Sequence, residues 1–133
     1  QLLTVDQAHF RSTVECAAPV FSSGLTQDQS RQLEMVQKKA FAVILGRAYL
    51  SYESALETLQ LERLDSIREA LCYNFANKCT KSRQHSYIFP LNTNFRENMR
   101  YQKKYKEYQC RTSRYYKSPV PYMARLLNKK ASS

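Results

Sequence analysis

The sequence predicts an all-α fold, mainly a helical bundle, that ends in an irregular basic C-terminal segment. Three observations lead there. Only two glycines and four prolines occur in 133 residues, too few for the many turns of a β-rich chain. Apolar side chains recur at three- and four-residue spacing as far as Lys81, the period of a helix with one buried face. Beyond Asn92 that period fades, and aromatic and basic residues alternate instead. The length suits one domain, and a hydrophobic fraction of 43% is enough for a packed core.

Leu3, Phe10, Val14 and Ala17 place a first helix up to about Ala17, and Pro19 biases Ala18 away from helix and marks its end. Ser22-Ser23-Gly24 reads as a loop. The second helix has the clearest limits. Thr26 and Gln29 form a capping box, Leu33, Val36, Ala40, Val43 and Ile44 make the expected buried stripe, and Gly46 is a left-handed cap. Ser51 caps a third helix that faces Ala55, Leu56 and Leu59 inward, with Glu53 near its positive end. Leu64, Ile67, Leu71, Phe75 and Cys79 give a fourth helix its stripe. Pro90 keeps the apolar run Tyr87–Leu91 from being a long helix. Tyr101, Tyr105 and Tyr108 suit a helical face and an extended chain equally. Pro119 and Pro121 lead into a last helix whose Tyr122, Met123, Leu126 and Leu127 pin the C-terminus onto the bundle. The expected organisation is thus a helical bundle over residues 1–91 and a basic tyrosine-rich segment over 92–133.

Charge sharpens that division. The net charge is +10, yet residues 1–91 carry ten Lys/Arg against nine Asp/Glu, and residues 92–133 carry eleven against two. Such asymmetry is the footprint of a polyanion-binding end on a neutral scaffold. No apolar run approaches the roughly 18 residues that cross a bilayer, and no signal-peptide pattern opens the chain. Gln1 is not a natural start, so the chain reads as a fragment of something longer. Cys16, Cys72 and Cys79 lie within or beside apolar helical patterns, where reduced cysteine acts as a small hydrophobe. Cys72, Cys79, His85 and Cys110 fit no common zinc spacing, and the chain reads as intracellular (nucleus or cytoplasm), free of metal and cofactor.

Catalysis finds little footing. Two-metal polymerases and nucleases need closely placed carboxylates, whereas Asp6, Asp28 and Asp65 fall on separate elements. There is no phosphate-cradling glycine loop, and neither His9 nor His85 has a nucleophile at a recognisable spacing. Neither an enzyme nor a small-molecule site is expected. The candidate binding residues are Arg96, Arg100, Lys103, Lys104, Lys106, Arg111, Arg114 and Lys117, interleaved with tyrosines of which Tyr105 and Tyr115 are the foremost stacking candidates. Cations neutralise phosphates, and tyrosine faces stack on unpaired bases. Arg31 and Lys38, seven apart on the second helix, are a secondary pair suited to a duplex.

Short runs along the chain carry a resemblance. They include Cys16–Phe21 with Gly24-Leu25-Thr26, Leu33-Glu34 with Val36–Ala40, Ile44-Leu45-Gly46, and Tyr52-Glu53 with Ala55-Leu56. Leu71-Cys72, Phe75-Ala76 with Lys78-Cys79, Phe89–Asn92, Arg111-Thr112 with Arg114-Tyr115, and Ser118–Tyr122 with Arg125–Asn128 complete them. Together they resemble the C-terminal thumb and post-thumb region of jockey-like non-LTR retrotransposon reverse transcriptases. The resemblance implies a non-catalytic part of an RNA-directed DNA polymerase that grips template–primer or element RNA beside the remainder of the parent polymerase. The family's catalytic Asp-Asp motif lies upstream of this region. Asp6, Ala17, Phe21 and Ile67 depart from the family's Tyr, Tyr, Trp and Arg, as a decayed or host-adopted copy would. A host protein-interaction domain that binds an acidic partner is therefore the alternative.

Overall fold

The computed structural model describes residues 1–93 and 103–132, and they form an all-α fold. The elements are α1 (Leu2–Val5), a π-helical stretch (Asp6–Arg11) continuous with α2 (Ser12–Glu15), α3 (Ala18–Phe21), α4 (Gln27–Leu45), α5 (Tyr52–Leu59), α6 (Leu64–Lys81), α7 (Ser113–Tyr116) and α8 (Pro119–Ala131). Among the described residues no strand forms; extended chain is represented by one antiparallel bridge, Leu91 with Tyr105. No helix is long and apolar enough to cross a membrane, among the described residues. Two compact units emerge. One comprises Gln1–Ala18 with Leu25–Glu69, the other Pro19–Gly24 with Ala70–Ser133, so residues on both sides of position 92 share a unit.

In the first unit local signals set the helix ends. Thr26 Oγ1 accepts from the Gln29 amide at 3.2 Å, while the Gln29 side chain accepts from the Thr26 amide at 2.9 Å. Gly46, at φ +52°, closes α4 after nineteen residues, and Ser51 accepts from the Ser54 amide to open α5. The opening helix ends at Cys16, and Ala17 takes a left-handed φ of +54°. Pro19 does not stop a helix; it sits in the first turn of α3, where its missing N–H costs no intrahelical bond.

The buried face of α4 differs from the apolar stripe. Glu34, Gln37 and Phe41 are buried, whereas Val36 and Val43 are 47% and 70% exposed. The cause is a polar cluster. Tyr52 Oη lies 2.5 Å from Glu34 Oε2 and 2.8 Å from Gln37 Oε1. A phenol donates one proton, so Tyr52 donates to Glu34; turning the Gln37 amide over lets its Nε2, otherwise unpartnered, donate to the phenol. Glu34 Oε1 accepts from the Asp65 amide at 3.0 Å, satisfying an orphan N–H in the first turn of α6 and placing negative charge at that helix's positive end. Phe41 stacks on Tyr52 at 5.8 Å, with Ala55 beside them.

The stripe on α6 is also corrected. Leu64, Arg68, Cys72, Ala76 and Cys79 are buried, while Ile67 and Leu71 are half-buried and Phe75 is 48% exposed. Small residues at 72 and 76 let α8 approach. In the second unit Met123, Ala124, Leu126 and Leu127 close over Cys72, Ala76, Cys79 and Phe89. The expected anchoring role of α8 is thus met within this unit.

Candidate nucleic-acid interface

The basic segment is held in place by backbone pairing. The Asn92 amide donates to Lys104 O, and the Lys106 amide donates to Pro90 O, both at 2.9 Å. On the other edge buried Asn128 acts as a surrogate strand: its Oδ1 accepts from the Tyr105 amide at 2.9 Å and its Nδ2 donates to Tyr105 O at 3.0 Å. Tyr105 thereby pairs as extended chain and Tyr108 lies in non-helical chain, which settles the choice left open for them; Tyr101 lies outside the described residues. Extended chain alternates its side chains. Lys104 and Lys106 are exposed, while Tyr105 and Glu107 are half-buried. Tyr105 packs against the core of the second unit, so only part of its ring is open to a base.

Lys103 is exposed but paired with Glu107 at 2.7 Å. Burial alone would raise the Glu107 carboxyl; the bonds from Lys103 and Asn128 and the charges of Lys103 and Arg125 outweigh it and leave the carboxyl below its ordinary range. Further along, Arg111, Arg114 and Lys117 are exposed. None of Lys104, Lys106, Arg111, Arg114 or Lys117 pairs with a described carboxylate. Thr112 caps α7 by accepting from the Tyr115 amide, which fixes Arg114, Tyr115 and Tyr116 on one helical turn. Tyr115 is 44% exposed and Tyr116 51%.

Sequence reasoning placed Tyr116 among the interleaved tyrosines but missed its partner, Arg125. The Arg125 guanidinium lies 3.7 Å from its ring centroid and donates to its carbonyl at 2.7 Å. A cation on one face of an exposed ring orients the ring as a stacking platform. No local spacing announces this pair, because nine residues and the turn into α8 separate its members. Arg96 and Arg100 lie outside the described residues.

The first unit presents Arg31 and Lys38 together on exposed α4, as their spacing implies. They line a cleft of about 310 Å³ with Arg63 and Tyr52. Glu34, Glu53 and Asp65 line it too, so three carboxylates balance three cations and the pull on a phosphate is small. Lys38 Nζ stands 5.0 Å over the Tyr52 ring. The Tyr52 hydroxyl is driven far above its ordinary range by burial, then by the bond to Glu34 and its charge, and it serves as a donor. None of the four cysteines is joined in a disulfide, and among the described residues no three His, Cys, Asp or Glu side chains gather as metal ligands.

Compared with known proteins, the chain matches no family model, no curated protein and no solved structure.

Proposed function

We propose that this chain is a non-catalytic nucleic-acid-binding domain that binds single-stranded or template–primer nucleic acid along its basic segment. One observation carries the reading. Lys104, Lys106, Arg111, Arg114 and Lys117 are all exposed without a described carboxylate partner, beside two half-exposed tyrosines. Unpaired cations attract phosphates at long range, and each contact releases a condensed counterion. Tyr115 and Tyr116 offer π faces to bases without demanding a sequence. The resemblance of the short runs to a reverse transcriptase thumb fits this reading, with the parent polymerase supplying catalysis elsewhere.

The test is competition. A labelled single-stranded RNA bound by the full chain is displaced by unlabelled RNA at a far lower concentration than by an acidic peptide of equal charge. The reverse order favours the host-adopted protein-interaction domain.

A further inference from the structure

We infer that a groove in the second unit houses one unpaired nucleotide, its phosphate held by Lys81 and Lys104 and its base laid against Phe89, Pro90 and Leu91. The inference rests on the nucleic-acid reading and deepens it.

Charge separates this groove from three other clefts among the described residues. The cleft at Arg11 includes Glu15 and Glu62, that at Arg31 includes three carboxylates, and that at Lys106 includes Glu107. The groove between the end of α6 and residues 86–91 and 104–105 has two lysines and no carboxylate among the described residues of its lining. A phosphate entering it meets attraction without an opposing acid. Its volume, about 570 Å³, lies within the range of small-molecule sites.

The lining suits a base as well as a phosphate. Phe89 is 3% exposed and forms a fixed floor, while Leu91 is 61% exposed and leaves apolar surface open beside the cations. Asn77, Thr80 and Ser86 add an amide and two hydroxyls at the wall. The Thr80 hydroxyl donates to Asn77 O at 2.8 Å and can only accept from a base edge, which leaves the Asn77 amide and the Ser86 hydroxyl as the donors there. Lys104 Nζ is folded to within 6.0 Å of the Tyr105 ring centroid. Lys81 ends α6, where the helix dipole repels anions; a phosphate is therefore held away from the helix axis, at the ends of both lysine side chains. A paired base cannot leave its stack at no cost, so the occupant is unpaired. A nucleotide is favoured over an acidic peptide because Lys104 belongs to the basic segment proposed above to bind the strand, and Phe89, Pro90 and Leu91 offer apolar surface to a base.

The full chain, labelled with ¹⁵N, is titrated with uridine 5′-monophosphate, inorganic phosphate, uridine, a short oligouridylate and an oligoglutamate. The expected result is saturable shifts of the Thr80, Lys81, Ser86, Leu91 and Lys104 amides with the monophosphate, and at least about five-fold weaker binding of phosphate alone. Leu91→Ala and Lys81→Gln, each checked for unchanged helicity, weaken the monophosphate by a similar factor. Equal affinity for phosphate and monophosphate, shifts centred elsewhere, or tighter occupation of the groove by oligoglutamate overturns the proposal. If oligouridylate binds at residues 111–117 and leaves the groove amides unmoved, this inference alone fails. If oligouridylate does not bind at all, the nucleic-acid reading fails with it.

Discussion

Replacing Tyr52 with Phe removes one oxygen from the centre of the first unit and little else. The stack on Phe41 at 5.8 Å and the Lys38 contact at 5.0 Å involve the ring, which phenylalanine keeps. What is lost is a bond to the buried Glu34 carboxylate and a bond to buried Gln37. A hydrogen bond to a charged group contributes about 1.5–3 kcal/mol, a neutral one about 0.5–1.5 kcal/mol, and an orphaned buried group adds its own desolvation cost. The two bonds share one hydroxyl and are not additive, so we expect a loss of about 2–3 kcal/mol. Urea unfolding followed by circular dichroism reads this directly. With a slope of about 1–3 kcal/mol per molar, the midpoint falls by about 0.7 M or more. Pairing the change with Glu34→Gln in a double-mutant cycle isolates the shared bond. A midpoint within about 0.2 M of the parent would refute the view that this polar cluster, rather than the valines of α4, fixes that helix's inward face.

Asn128→Ala removes both bonds to the Tyr105 backbone and one to Glu107; amide exchange at Tyr105 should accelerate by at least about ten-fold, and unchanged exchange would mean the edge is held otherwise. Glu107, held below its ordinary value of 4.5, contributes stability that is present above that value and lost as pH falls through the lower folded one. Glu107→Gln should therefore flatten the acid limb of a melting-temperature profile below about pH 4.5, and an unaltered limb would contradict the assignment. Asp6 has the opposite sign: burial raises its carboxyl despite Arg11, and its Oδ2 has no hydrogen-bond partner among the described residues. Its ionisation opposes folding at neutral pH, so Asp6→Asn should raise the melting temperature there, with the gain shrinking as pH falls through the raised value. A lower melting temperature at neutral pH would show that the charge is needed.

Local chemistry was legible in the sequence, and facing was not. The capping box at Thr26, the Ser51 cap and the Gly46 stop depend on neighbours within four residues, and each forms as its spacing implies. The inward face of a helix depends on partners distant in the chain. On α6 the expected and observed stripes share Leu64 and Cys79, and differ by one residue at each step between them. Hydropathy favoured Ile67, Leu71 and Phe75; packing favoured the small Cys72 and Ala76 under α8, with Arg68 bonded to Ser30 at 2.8 Å. On α4 the decisive partner, Tyr52, is fifteen or more residues away from Gln37 and Glu34. Within the interface the exposed cations were legible because charge is costly to bury. The half-burial of Tyr105 was not legible, since no pattern in the chain announced that Asn128 would draw its backbone against the core.

The central claim is that the cations between Lys104 and Lys117 that have no described carboxylate partner grip a nucleic-acid strand, and the salt dependence of binding tests it most directly. Five such cations, at about 0.7 counterions released per phosphate contact on a single strand, give log K against log salt a slope near −3.5. Reversing Arg111, Arg114 and Lys117 to Glu spares the Lys103–Glu107 pair and the Asn128 clamp, so the fold is kept. The account predicts weaker binding to every sequence and a slope reduced in magnitude by about 2. An unchanged affinity and slope, with helicity intact, would contradict it.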